Sequence, residues 1–225
     1  NYLIQKNKLI ESKYGDQSNF ENVMKIYSDE EQVFLKNIET LKKNMLEKLT
    51  SSSIKNERFI KNEKKEIEIL ALKYQEQYAP YHGYAINNKD FKTSDTFPKA
   101  GDDFDMNDEE TFKHSYSYRT LIGGIFQRIM YSTPSEDKTP FDKGMEKLNT
   151  ITSKIIRSEL TKNMVYEMNL SAKNIDEIYK GLMKHSIDSV FNNETTLKYE
   201  TLQNVNLLLI TFKYYSISIW INEVP

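Results

Sequence analysis

The sequence predicts an all-α fold, an irregular array of antiparallel amphipathic helices. Apolar residues recur at three- and four-residue steps over most of the chain, with lysine and glutamate between them. Short polar connections separate successive periodic segments, which favours antiparallel neighbours. A long loop near residues 87–106 and a candidate C-terminal β-strand depart from this pattern. We therefore expect a helical domain over residues 1–203 and an atypical, apolar, strand-like tail over residues 204–225.

A helical hairpin is expected within residues 1–86. The first apolar stripe consists of Phe34, Ile38, Leu41, Met45 and Leu49. The polar run TSSS at 50–53 ends this helix, and a second stripe then consists of Phe59, Glu63, Ile67, Leu70, Tyr74 and Tyr78. Glu63 is the charged exception on that stripe. Pro80 is expected to kink or end the second helix, because its ring clashes with the carbonyl four residues earlier.

The segment NNKDFKTSDTFPKAGDDFDM, residues 87–106, has no sustained period and is rich in turn-forming residues. It is long for a loop in a compact domain, and such loops are often functional. Phe91, Phe97 and Phe104 favour a second interpretation, in which aromatic side chains attach the loop to the helices. The second interpretation predicts an aromatic contact between the loop and the helices.

A candidate binding surface for a sugar or peptide combines aromatic residues of the second helix and the loop. Its members are Tyr74, Tyr78, Tyr81, Tyr84, Phe91 and Phe97. Tyrosine and phenylalanine rings can form a platform for such ligands. Helical spacing of the tyrosines first favours a packing seam with hydroxyls at its rim.

The acidic stretch GDDFDMNDEE, residues 101–110, is a weak candidate for a calcium site. Oxygen ligands at alternate positions would come from Asp103, Asp105 and Asn107. The positions that require glycine and a bidentate glutamate are occupied by Asp108 and His114 instead. A helix start fits better, with Asn107 as N-cap and Glu110 completing a capping box.

Further helices are predicted over residues 107–203. The first has a broad apolar face and contains the pair Gly123 and Gly124, which indicates a bend or the close approach of a neighbouring helix. Thr139 followed by Pro140 marks another helix start. His185 falls on the inward stripe of a later helix, where we expect a hydrogen-bonded, partly buried side chain.

The tail from 204 to 225 is apolar, β-branched and aromatic, and alternates with period two from Tyr215 to Ile221. This pattern predicts a strand. A transmembrane helix fits poorly because Lys213, Asn222 and several hydroxyl residues interrupt the apolar run.

Composition excludes several classes of function. The net charge of −2 offers no basic face for a phosphate backbone, so no nucleic acid is expected as a partner. The absence of cysteine excludes disulfides, thiolate metal sites and dithiol redox chemistry in this chain. The three histidines lie far apart, and no nucleotide-binding or hydrolase motif occurs. We expect neither a cofactor nor a metal, and no enzymatic activity.

The order of segments resembles one known family. NYLIQKNKLIESKYGDQ, YSDEEQVFLKNIETLKKNMLEKLTSSSIKNERFIKNEKKEIE, NKDFKTSDTFP and DFDMNDEETFKHSYSYR follow one another. This succession, over roughly residues 1–203, resembles the helical region that precedes the thioredoxin domain in TlpA-like thiol-disulfide oxidoreductases of Bacteroidetes. It contains no catalytic motif, and after LKYETLQ the sequence departs from the family's pattern. A truncation or frameshift would explain this departure.

The resemblance implies a function without catalysis. The chain would be an accessory helical domain of an envelope oxidoreductase, in the periplasm or attached to the membrane, without a transmembrane segment of its own. Its partner would be a thioredoxin-fold domain or another envelope protein. The alternative is an independent helical module that binds a peptide or glycan.

Overall fold

The structure, a computed structural model, describes residues 2–98, 100–101, 104–131, 137–169 and 174–222, with side chains through residue 205. The all-α prediction is confirmed: the elements of these ranges are helices, and no strand occurs in them. The chain divides into two compact units. Unit 1 comprises residues 1–105 and 110–125, and unit 2 comprises residues 106–109 and 126–225.

The helices begin and end as follows. They are α1 (Tyr2–Tyr14), α2 (Phe20–Lys25), α3 (Glu31–Thr50), α4 (Glu57–Ala85), α5 (Glu109–His114), α6 (Tyr116–Tyr131), α7 (Pro140–Thr150), α8 (Lys154–Thr161), α9 (Ile175–His185) and α10 (Ser189–Asn222), with a 3₁₀ helix (Lys162–Glu167) between α8 and α9.

Unit 1 is built around the predicted hairpin of α3 and α4. All five residues of the first stripe are buried, with Phe34 completely inaccessible to solvent. Pro80 does not end α4, which continues to Ala85. The ring removes one backbone donor, but packing of the tyrosine face stabilises the helix beyond it.

Helix α1 explains the charged residue on the α4 stripe. The Glu63 carboxylate is buried, and its Oε1 accepts hydrogen bonds from Tyr2 Oη at 3.0 Å and Lys6 Nζ at 2.6 Å. A buried carboxylate is costly unless it is paired and hydrogen-bonded. Glu63 is therefore an attachment point for α1, and its partners come from a segment distant in sequence.

Unit 2 has a core formed by the short helices that follow residue 125. The capping box between Thr139 and Asp142, with Pro140 at the first helical position, confirms the predicted start of α7. An added Cβ at Gly181 would lie 2.7 Å from Cζ of Phe141, so α7 and α9 approach closely at this glycine. Within α8, Ile155 is 38 % exposed, whereas its neighbour Ile156 is completely buried.

The predicted C-terminal strand is wrong for residues 204–222, because these residues continue α10 to Asn222. β-Propensity reflects packing against neighbouring strands, and the described residues supply none. Extending a helix that has already begun at Ser189 costs less than starting a new element.

The proposed division into residues 1–203 and 204–225 stays a prediction. In the described part of the chain, no helix is long and apolar enough to span a membrane.

Candidate functional site

The tyrosines of α4 form mainly a packing seam rather than an open platform. Tyr78 is completely buried, with its ring centroid 4.3 Å from that of Phe34. Its hydroxyl donates a hydrogen bond to the carbonyl of Asp29 at 2.8 Å. Tyr74 is also buried, and Tyr81 is half-buried with its ring stacked 4.8 Å from Tyr27. These side chains are part of the hydrophobic core of unit 1 or pack against it.

Burial also fixes the protonation state of the seam. It raises the pKa of Tyr74 to about 12 and that of Tyr27 well above its ordinary value. Burial likewise raises the pKa of Tyr78, and the acidic residues Glu30, Glu31 and Asp29 around the start of α3 add to the effect. These hydroxyls therefore stay protonated at neutral pH and act as hydrogen-bonding groups, not as phenolate bases.

The loop predicted at 87–106 is attached to this seam. Phe97 is 5 % exposed and stacks on Tyr78 at 5.0 Å, while Phe91 lies edge-on to Tyr78 at 6.1 Å. The Glu31 carboxylate accepts hydrogen bonds from the backbone N–H and hydroxyl of Ser94, at 2.7 and 2.6 Å. The aromatic attachment expected from the sequence is thus present for residues 91–97.

His82 and Gly83 fix the start of the loop. His82 is buried, and its Nδ1 donates to the carbonyl of Tyr27 at 2.8 Å, since a carbonyl can only accept. The backbone N–H of Asn88 donates to the Gly83 carbonyl at 2.7 Å. A Cβ at Gly83 would lie 2.7 Å from the Asn88 carbonyl oxygen, so this tight return requires glycine. Asn87 has φ 54°, a left-handed conformation that asparagine tolerates.

Tyr84 is the member of the proposed surface that does face solvent, with 67 % of its area exposed. It makes an edge-to-face pair with Phe20 of α2, which is 56 % exposed, at a centroid distance of 5.9 Å. We call these two residues the Phe20–Tyr84 patch. Sequence reasoning missed Phe20 because α2 has only six residues, too few to show a helical period.

The weak calcium candidate does not form a ligand cluster in the described residues. Asp103 lies outside them, and Asp105 is exposed. Oδ1 of Asn107 accepts hydrogen bonds from the backbone N–H and hydroxyl of Thr152, at 2.7 and 3.0 Å. Among residues with described positions, no group of three or more histidines and carboxylates could hold a metal ion. Asn107 therefore connects residues 107 and 152 within unit 2.

The capping interpretation of the same stretch also needs correction. Helix α5 begins at Glu109, so Asn107 lies two residues before it rather than at its N-cap. Glu110 points to α4, where its Oε1 accepts a hydrogen bond from Arg58 at 2.9 Å. Both side chains make long-range contacts, which no spacing rule reveals.

The glycine pair of α6 divides into two different positions. A Cβ at Gly124 would lie 3.2 Å from Cγ of Glu76, which agrees with the predicted close approach of a neighbouring helix. A Cβ at Gly123 would have no neighbour within 4 Å. Only Gly124 is therefore explained by packing.

The remaining histidines occupy contrasting environments. His114 is exposed, whereas His185 is 6 % exposed at the end of α9. The prediction of a buried His185 is confirmed, but its Nε2 is enclosed without a hydrogen-bond partner from the protein. Burial and the cations Lys184 and Arg157 lower the pKa of its imidazole.

Comparisons with known proteins do not extend this picture. No protein-family model matches the chain, and neither a curated protein nor a solved structure matches it.

Proposed function

We propose that the chain is a non-catalytic helical accessory domain of a TlpA-like thiol-disulfide oxidoreductase of the cell envelope. It would position a thioredoxin-fold redox domain or bind the partners of that domain. The proposal places the chain in the periplasm or at the envelope membrane, in a bacterium of the Bacteroidetes. The exchange of disulfides would be performed by the cysteines of the redox domain.

The observation that carries the proposal is the structural role of the segments that resemble the family. Within NKDFKTSDTFP, Phe91 and Phe97 pack on Tyr78, and Ser94 bonds to Glu31. Segments with a resemblance to a family are expected to be those that determine its fold. The contacts of residues 88–98 in unit 1 agree with this expectation.

A second segment of the resemblance, DFDMNDEETFKHSYSYR, also makes contacts that stabilise the fold. The Tyr118 hydroxyl donates to the carbonyl of Asp105 at 3.1 Å, which closes the segment on itself. Arg119 donates to the carbonyl of Phe112 at 2.7 Å. Its side chains are thus used for folding, which supports a positioning role over a chemical one.

The experiment is a calorimetric titration of this chain with the isolated thioredoxin-fold domain of a TlpA-like Bacteroidetes oxidoreductase. Interfaces between domains of one chain resemble transient interfaces, so we expect a Kd of about 10 µM. The control is a cytosolic thioredoxin of the same charge. Equal heats from both proteins, or no heat from either, would reject the proposal.

The Phe20–Tyr84 patch favours one alternative, an independent module that binds a peptide or glycan. Two adjacent exposed rings can stack on a sugar or on an apolar side chain. This function predicts binding without a redox domain. The double substitution of Phe20→Ser and Tyr84→Ser would abolish such binding, yet leave the titration with the redox domain unchanged if the first proposal is right.

A further inference from the structure

The junction of α8, α9 and α10 in unit 2 contains enclosed polar atoms without protein partners. They are Arg157 Nε, His185 Nε2, Asn192 Oδ1 and Thr195 Oγ1. His185 and Thr195 are 6 % and 1 % exposed. Each enclosed polar atom without a partner loses its hydrogen bonds to water on folding and gains none in return. A junction of this kind is stabilised less than its apolar contacts alone would suggest.

The contacts between helices place these groups around the turn from α9 to α10. Tyr179 of α9 stacks on Tyr199 of α10 at 4.2 Å, and Asp176 accepts hydrogen bonds from Tyr199 and Gln203. The two helices are therefore antiparallel, since earlier residues of α9 pair with later residues of α10. His185, at the end of α9, consequently lies toward the first turns of α10, where Asn192 and Thr195 are found.

Helix α8 runs beside the same turn. The Ser158 hydroxyl accepts a hydrogen bond from the backbone N–H of Ile187 at 2.9 Å. Lys162 makes an ion pair with Asp188 at 2.9 Å. Arg157 precedes Ser158, and its charge acts on the His185 ring. His185 therefore ends α9 just before the turn that leads into α10, and α8 is bonded to the same turn.

The charges that act on His185 have one sign. Arg157 of α8 and Lys184 of α9 are both cationic. Two carboxylates of α8 and of the turn into α10, Glu159 and Asp188, both pair with Lys162.

The other elements packed against α9 bring apolar or already hydrogen-bonded groups to this helix and its surroundings. Helix α7 presents Phe141 and Met145 to α9 at Gly181. On α10, Lys198 donates to the carbonyl of Val165 and Tyr199 to Asp176. In the 3₁₀ helix, Glu167 accepts from Tyr131. A proton on His185 would therefore add a buried cation beside other cations.

We propose that His185 is a proton-operated latch: the neutral imidazole keeps the start of α10 packed on α9 and α8, and protonation releases it. The device is independent of the proposed function.

The sign follows from the lowered pKa of His185 in the folded state. Above pH of about 6.5 the ring is neutral in both the packed and the released state, so the packing energy is fully present. Below it, the released state takes up a proton first, and packing is weakened as pH falls. The dipole of α9 favours a cation at its last residue, but burial and the neighbouring cations outweigh this effect.

The test is amide hydrogen exchange of the full chain at pH 7.5 and 5.5, followed by mass spectrometry and corrected for the intrinsic rate. For residues 192–199 we expect the protection factor at pH 5.5 to be lower than at pH 7.5 by up to about tenfold. This is the largest change that one histidine can cause when its pKa in the released state has the ordinary value. His185→Gln should remove the pH dependence. His114→Gln, at the exposed histidine, should retain it.

A second variant keeps the test decisive if His185→Gln does not fold. Arg157→Met removes the guanidinium but keeps most of the stem, so the loss of protection should become smaller. Unchanged protection in the wild type, or an equal pH effect in His185→Gln or Arg157→Met, would overturn the proposal.

Discussion

Phe97→Ala tests whether the long loop is part of the unit 1 core. The Phe97 ring is 5 % exposed and stacks at 5.0 Å from Tyr78 and 6.2 Å from Phe34. Truncation of a core phenylalanine to alanine costs about 3–5 kcal/mol, with the smaller values where the surroundings can collapse. Because Phe97 lies on a loop that can settle into the vacated space, we expect a loss of about 3 kcal/mol in the free energy of unfolding.

Urea denaturation followed by circular dichroism measures this loss as a lower midpoint at an unchanged slope. Phe20→Ala is the matched control, since it deletes the same ring from a position that is 56 % exposed. We expect the control to cost about 1 kcal/mol or less, the value of its edge-to-face pair. A loss for Phe97→Ala no larger than for the control would refute the view that the loop is core structure.

Four further substitutions test other contacts. Lys6→Met removes the cation bound to Glu63 and should cost about 2 kcal/mol, measured by urea denaturation. Gly181→Ala places a methyl group against the Phe141 ring, so overpacking should lower the free energy of unfolding by about 1–3 kcal/mol and lower the melting temperature. Gly123→Ala places its methyl group in open space, so it should raise the free energy of unfolding by up to about 1 kcal/mol and raise the melting temperature. Tyr14→Phe removes a buried hydroxyl without a partner, so stability at pH 7 should stay constant or rise.

The burial of Tyr14 also predicts how stability changes at alkaline pH. Burial raises its pKa to about 12, with Asp29 adding to the shift. Its contribution to stability is fully present below about pH 10 and is lost as pH rises toward 12. Denaturation midpoints of Tyr14→Phe should therefore fall less steeply than those of the wild type between pH 9 and 11.

The control for Lys6→Met is the same substitution at an exposed lysine. Lys43 is 74 % exposed and lies 4.0 Å from Glu47, so Lys43→Met should change stability by no more than about 0.5 kcal/mol. Equal effects of Lys6→Met and Lys43→Met would contradict the role given to Glu63. A stabilising Gly181→Ala would contradict the close approach of α7 and α9, and an unchanged alkaline slope in Tyr14→Phe would contradict its burial.

Periodicity was enough to predict the hairpin and its buried stripes. The spacing of Phe34, Ile38 and Leu41 follows directly from one helix face, and all three are buried. The segment containing Phe91 and Phe97 could also be assigned to the core, since aromatic residues in a polar loop must be covered. Local patterns were sufficient where the burial of one face decides the structure.

Long-range contacts were beyond the sequence alone. One of the two partners of Glu63, Lys6, lies 57 residues away, and no spacing rule joins them. The carboxamide of Asn107 bonds to Thr152 across 45 residues, a contact that the local sequence does not indicate. The alternation from Tyr215 to Ile221 suggested a strand, but residues already continuing a helix retain that conformation.

A fusion protein tests the proposal that this helical domain positions a redox domain. The thioredoxin-fold domain of a TlpA-like oxidoreductase is joined after Gln203, and the rotational correlation time of that domain is determined by ¹⁵N relaxation. Both parts are expected to tumble as one body. Tumbling of the redox domain at the rate of its isolated form would contradict the claim.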